Sequence, residues 1–96
     1  MPTATKPSER YAEAQAKRHK AIYDTVWQRI NAAVDKDMVT MTPDEAAAYL
    51  NLTAAFLNQL RYKNEGPTYL KPGAKTVIYL KKDLDDWLKK ISVTTD

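Results

Sequence analysis

Residues 41–70, MTPDEAAAYLNLTAAFLNQLRYKNEGPTYL, carry helix start and stop signals so closely spaced that few folds accommodate them. Thr42-Pro43-Asp44-Glu45 has the form of a capping box. In that motif the Thr42 hydroxyl accepts from the backbone N–H of Glu45, the Glu45 carboxylate accepts from the N–H of Thr42, and Pro43 sits where no N–H is needed. A helix is therefore predicted from Pro43, with Ala46, Ala47, Tyr49 and Leu50 on its inner face. Asn51 tolerates the left-handed backbone common just past a helix end. Thr53 can cap a second helix, AAFLNQLRYK, with Phe56, Leu57 and Leu60 turned inward. Gly66-Pro67 forbids its continuation.

Past that break, TYLK and TVIYL are rich in strand-forming residues and flank Pro72-Gly73-Ala74-Lys75, which has the turn chemistry of a hairpin with a loop of about four residues. A two-stranded ribbon is predicted. In KKDLDDWLKKI, Leu84, Trp87, Leu88 and Ile91 recur at helical spacing, with Asp83, Asp85 and Asp86 in the first turn and Lys89 and Lys90 in the last, as the helix dipole favours. Upstream, Ser8 can cap a long helix through YAEAQAKRHKAIYDTVWQRINAAV, reaching Val34. Tyr23, Trp27, Ile30 and Val34 form one apolar stripe on it, widened by Ile22 and Val26. Its first half has no such stripe and carries Arg10, Lys17, Arg18, His19 and Lys20.

The organisation expected is a disordered lead-in (1–7), an N-terminal helix (8–35), a polar linker, a folded domain (41–91) and a polar tail (92–96). Helix, tight turn, helix, ribbon, helix is the order of a winged helix-turn-helix, in which the second helix projects and can enter a major groove. The fold class expected is mainly α with a small β-hairpin, a winged helix-turn-helix preceded by a long N-terminal helix.

Charge follows the two protruding elements. The chain of 96 residues has a formal net charge of +3. Between Ala54 and Lys82 there are six basic residues, Arg61, Lys63, Lys71, Lys75, Lys81 and Lys82, against one acid, Glu65, so that stretch alone is +5. A basic face of this kind neutralises phosphates and makes DNA affinity fall with salt. Asn58, Gln59, Arg61 and Tyr62 are the candidate base readers, since Asn or Gln can bridge adenine and Arg can bridge guanine. Ala54 and Ala55 offer small apolar contact, for instance to a thymine methyl. Thr53 and Lys63 on the helix, with Lys71, Lys75, Thr76 and Lys81 on and after the ribbon, are the candidate phosphate contacts.

At this length one domain is expected, without a deep catalytic cleft. The chain has one His and no Cys, and its acids sit mainly at helix starts, where capping and dipole roles account for them. No enzyme activity, cofactor, metal or small-molecule substrate is expected. No stretch approaches the roughly 18 to 20 apolar residues of a membrane span, and the start lacks the apolar run of a secretory signal. A cytoplasmic protein is expected.

The segment MTPDEAAAYLNLTAAFLNQLRYKNEGPTYLKPGAKTVIYLKKDLDDWL resembles the small winged helix-turn-helix domain of the excisionase and AlpA-like group, related in architecture to MerR-type DNA-binding domains. The shared pieces are Thr42 with Glu45-Ala46-Ala47 and Leu50, then Gly66-Pro67, Gly73, Tyr79, and Asp83-Leu84 followed by Trp87-Leu88. The resemblance implies a protein of a phage, plasmid or integrative element that binds double-stranded DNA. Members act as recombination directionality factors that bend attachment-site DNA for an integrase, or as transcriptional regulators. Asn51 stands where the group usually has Gly, and Ala54, Ala55 and Phe56 stand where it often has Ser, Arg or Thr. Ala74-Lys75 replaces the paired arginines common at the wing tip. No DNA sequence preference is carried over.

Two further readings stay open: a winged helix used for protein interaction, and a small terminase-like DNA-packaging subunit. The stripe of Tyr23, Trp27, Ile30 and Val34 can pack on the domain's own core or pair with a second copy in a homo-oligomer, since two heptads are too few for an isolated coiled coil.

Overall fold

The computed structural model describes residues 7–92, with side chains from Glu13 onward apart from that of residue 15. Its elements are α1 (Pro7–Ala32), a 3-10 turn (Lys36–Met38), β1 (Thr40–Met41), α2 (Pro43–Leu50), α3 (Ala54–Tyr62), β2 (Leu70–Gly73), β3 (Thr76–Leu80) and α4 (Lys81–Ile91). This is a winged helix-turn-helix with a long helix ahead of it. The expectations for the lead-in before Pro7, the tail after Ser92 and the Ser8 and Arg10 side chains lie outside the described residues. The backbone is already helical at Pro7, one residue before Ser8.

The punctuation around α2 forms as its residue types dictate. The Thr42 N–H donates to Glu45 Oε1 at 3.0 Å, and the Glu45 N–H donates to Thr42 Oγ1 at 3.2 Å, closing both arms of the capping box. The Glu45 carboxylate also receives Arg29 Nη1 of α1 at 2.6 Å, and Arg29 Nη2 donates to the Thr40 carbonyl. One guanidinium thus ties α1, β1 and α2 together. Burial pushes the Glu45 carboxyl up, but the Thr42 N–H and the Arg29 guanidinium outweigh it and hold the group below its ordinary value. At the other end Asn51 takes φ 60° and ψ 40°, and the Leu52 N–H returns to the Ala47 carbonyl at 2.8 Å. Three residues then suffice before α3, whose first turn is capped by Thr53 Oγ1 accepting from the Phe56 N–H at 3.1 Å.

The stop of α3 differs from the expected one. Asn64, with φ 57°, reverses the chain two residues ahead of Gly66-Pro67, and the Glu65 N–H donates to the Leu60 carbonyl at 2.9 Å. Gly66 serves a different need. A Cβ placed there would lie 3.0 Å from Leu60 Cβ, so the absence of a side chain eases the close approach of the chain to Leu60.

The expected two-stranded ribbon forms as β2 and β3, and β1 adds a third strand to it, giving an antiparallel sheet in the order β1-β3-β2. Thr40 pairs with Leu80 and Met41 with Tyr79, and Met41 and Tyr79 are both buried. A strand of two residues is too short to show alternation, and its partner lies far along the chain. The hairpin turn is Ala74-Lys75 alone, because Pro72 and Gly73 belong to β2. Between Leu70, opposite Ile78, and Gly73, opposite Thr76, the register shifts. A proline is tolerated in a strand at such an irregularity.

α1 ends at Ala32, short of the expected Val34. The Lys36 ammonium donates to the Ile30 carbonyl at 3.2 Å and the Asn31 carbonyl at 3.4 Å, satisfying groups that further helix would have used. Val34 is consequently exposed beyond the helix. Val26 and Ile30 enter the core with Met41, Ala46, Ala47, Leu50, Leu57, Tyr79 and Leu84. Trp27 packs against the same cluster and its ring lies 5.8 Å from that of Tyr49, while Tyr23 is largely exposed.

α4 closes the core through Leu84. Its Asp85 accepts from the Tyr49 hydroxyl and from Lys81 Nζ at 2.7 Å. Burial and the adjacent Asp85 both push the Tyr49 phenol up, so it stays protonated and donating. Trp87 Nε1 donates to the Glu65 carbonyl at 3.2 Å, fixing the loop after α3. Of the four apolar residues at helical spacing in α4, Leu84 is buried and Trp87 packs on the core, while Leu88 and Ile91 are exposed.

Candidate nucleic-acid interface

α3 is divided by its own periodicity. Leu57 is fully buried, and Ala54, Asn58, Leu60 and Arg61 flank it half-buried, at the spacings of three and four that share a helix face. Ala55, Phe56, Gln59, Tyr62 and the following Lys63 form the exposed face. Phe56, expected to turn inward, is 47% exposed, because the inner face runs through Ala54, Leu57, Asn58 and Arg61 and so lies on the other side of Leu57 from it. Tyr62 is 82% exposed.

The six base-reading candidates therefore separate into two groups. Ala55, Gln59 and Tyr62 are exposed, and of the three only Tyr62 meets another side chain among the described residues, its ring lying beside the Arg61 guanidinium. Ala54 packs on the core, and Asn58 turns in far enough that its Oδ1 is buried without a hydrogen-bond partner among the described residues. Arg61 is held by the fold. Its Nη1 donates to the Tyr79 hydroxyl at 3.1 Å, and its guanidinium lies 5.6 Å from the Tyr62 ring centre and 5.9 Å from that of Tyr69.

On the wing, Lys71, Lys75 and Thr76 are exposed on β2, the turn and β3. Helix, tight turn, projecting helix and basic wing are all in place. The helix-turn-helix domain family matches residues 40–92, more than half of the chain. The chain belongs to this helix-turn-helix domain family. Among curated proteins none matches it.

The helix-turn-helix family is a DNA-binding one, not an enzyme family, and the match spans β1 to the end of α4, leaving α1 outside it. Within the helix-turn-helix domain the candidate phosphate contacts also separate. Lys63 is exposed at the end of α3, whereas Lys81 is half-buried and paired with Asp85 at 2.7 Å within one turn of α4. Lys82, counted in the basic stretch but not among the candidate phosphate contacts, is exposed instead. Thr53 is exposed but its hydroxyl oxygen is engaged as the cap of α3. The exposed cations of the helix-turn-helix domain are thus Lys63, Lys71, Lys75 and Lys82, before the acids of α4.

Beside the domain, α1 presents exposed Lys17, Arg18 and Lys20. A groove of about 620 Å³ separates that half of α1 from the turn, lined by His19 and Ile22 on one side and Ala48, Leu52, Thr53 and Ala54 on the other. Among the described residues no three His, Cys, Asp or Glu side chains meet to hold a metal ion, and no helix is long and apolar enough to cross a membrane.

Proposed function

We propose that the chain is a sequence-specific protein of a phage or integrative element, acting at attachment or operator sites as an excision factor, a transcriptional regulator, or both. The DNA-binding unit is residues 41–91, with 8–35 as an accessory helix. The observation that carries this reading is the outward face of α3, where Ala55, Phe56, Gln59 and Tyr62 are exposed, beside a wing whose Lys71 and Lys75 are exposed. In this reading α3 enters the major groove while Lys63, Lys71, Lys75 and Thr76 meet phosphates. The excision role draws on the resemblance carried by Thr42, Glu45, Gly66-Pro67 and Trp87-Leu88.

Protein partners would use other surfaces. Leu88 and Ile91 on α4, Tyr23 on α1, and Val34 and Met38 just after it are exposed large apolar side chains away from α3 and the wing. A recombinase or a second copy bound at a neighbouring site would contact these. Ile30 and most of Trp27 are not available for self-association, being packed in the chain's own core.

Selection from a pool of random duplexes tests the reading. A single enriched motif of one or two half-sites is expected, together with stimulation of excision when the protein is added to an integrase and its attachment-site DNA. No enrichment over input, with the protein folded, would contradict it and favour a protein-interaction role.

A further inference from the structure

The first turn of the recognition helix contains no side chain that can hydrogen-bond a base. It is Ala54-Ala55-Phe56, with neither an acid nor a base in it, and in Thr53 before it the hydroxyl oxygen accepts from the Phe56 N–H, which ties that side chain to the helix end. Two of the expected hydrogen-bonding readers further along, Asn58 and Arg61, are drawn into the domain. What remains on the exposed face is Ala55, Phe56 and Tyr62 around a single amide, Gln59. Of these Phe56 is the unexpected member, a large apolar side chain held 47% exposed at the end of the helix that approaches base edges.

The floor of the major groove is almost wholly polar, and the thymine C5-methyl is its one apolar group. A phenyl ring set against the N7, O6 or N4 groups of a G·C pair would strip water from them and return no hydrogen bond, which is unfavourable. Set against a thymine methyl it buries apolar surface on both sides at no polar cost. On the reading of α3 as the base-reading helix, we infer that Phe56, with Ala55 beside it, is a specificity-determining residue that selects thymine through its 5-methyl group. Gln59, one turn further on, supplies the hydrogen-bonded contact, to an adenine edge. The site preferred is therefore a thymine-containing step beside an A·T pair, recognised mainly by methyl contact.

Deoxyuridine is thymidine without that methyl and is otherwise identical at the base edge, so it isolates the interaction. The full chain is titrated, by fluorescence anisotropy, against the duplex selected from a random pool and against copies with deoxyuridine at each thymine in turn. One or two positions are expected at which the change weakens binding about fourfold, the worth of one buried methyl-sized group. Phe56→Ala should bind the thymine duplex more weakly and no longer distinguish it from the deoxyuridine duplex at those positions. Phe56→Leu should retain most of the discrimination. Because Phe56 is not part of the core, thermal melts of both variants should match the parent. Uniform tolerance of deoxyuridine by the parent protein, or an undiminished penalty in Phe56→Ala, would overturn the inference while leaving α3 as the reader. Failure to select any site would instead overturn the underlying reading, and the inference with it.

Discussion

Arg61 and Tyr79 are joined across 3.1 Å, the guanidinium Nη1 donating to a phenol whose residue is fully buried. The bond links the last turn of α3 to the central strand of the sheet, and so fixes the angle at which the helix stands to the wing. The rings of Tyr62 and Tyr69 both lie against the guanidinium. Arg61 is on this account a brace for the interface rather than one of its readers.

Removing that brace should be felt as stability. Arg61→Ala is expected to lower the unfolding free energy by about 1–2 kcal/mol, since it leaves the buried Tyr79 hydroxyl without its donor. Arg61→Lys should not restore it, because an ammonium cannot reproduce the planar contact with the two rings. Urea denaturation followed by circular dichroism measures both, and the motif selected by the folded fraction of Arg61→Ala should be that of the parent.

Salt dependence should separate cations that look alike in sequence. Lys75 is exposed on the wing, while Lys81 is paired with Asp85. Each phosphate contact contributes about 0.9 to the slope of log affinity against log salt. Lys75→Ala is therefore expected to reduce the magnitude of the slope by about one, and Lys81→Ala to leave it close to the parent value. Anisotropy titrations between low and physiological salt provide the slopes.

The junction of α1, β1 and α2 should be sensitive to acid. The Glu45 carboxyl lies below its ordinary value of 4.5 in the folded protein, so the unfolded chain binds its proton more readily than the folded one. Its stabilising contribution is therefore complete above pH 4.5 and is lost as pH falls through the lower folded value. Glu45→Gln should be less stable than the parent at neutral pH and should lose stability less steeply between pH 5 and 3. Unfolding free energies measured across that range give the comparison.

Features that depend on neighbours in the chain were legible in the sequence. Thr42 and Glu45, Asn51, and Thr53 with Phe56 N–H act over three or four residues, and their residue types state their roles. Features made by distant pairing were not. Nothing about Arg61 announces Tyr79, nothing about Arg29 announces Glu45 and Thr40, and β1 exists only because β3 lies beside it. Phe56 was ambiguous for a different reason: in a helix as short as α3, Phe56-Leu57-Leu60 and Ala54-Leu57-Arg61 both make an acceptable stripe, and only packing chooses between them. The Lys81–Asp85 pair, by contrast, was readable from its spacing of four.

Backbone geometry supplies a further test. Asn51 occupies the left-handed region, where a Cβ-bearing residue without a short polar side chain is disfavoured. Asn51→Ala is expected to cost about 1 kcal/mol and Asn51→Gly to cost little or to stabilise. Gly66→Ala should cost about 1 kcal/mol, because the added Cβ meets Leu60 Cβ at 3.0 Å and one of the two must shift by a few tenths of an ångström. Equilibrium unfolding of the three variants checks the order.

The most direct test of the division within α3 is the ratio of affinities for the selected duplex and for a scrambled duplex of the same length and composition. It is measured for a variant of the outward face, Phe56→Ala with Gln59→Ala, and for Arg61→Ala. The outward-face variant should lose most of the ratio while binding scrambled DNA about as well as the parent, and Arg61→Ala should keep the ratio. A ratio that survives in the first and collapses in the second would contradict the account, placing the reading of bases on the face of α3 that the fold has turned inward.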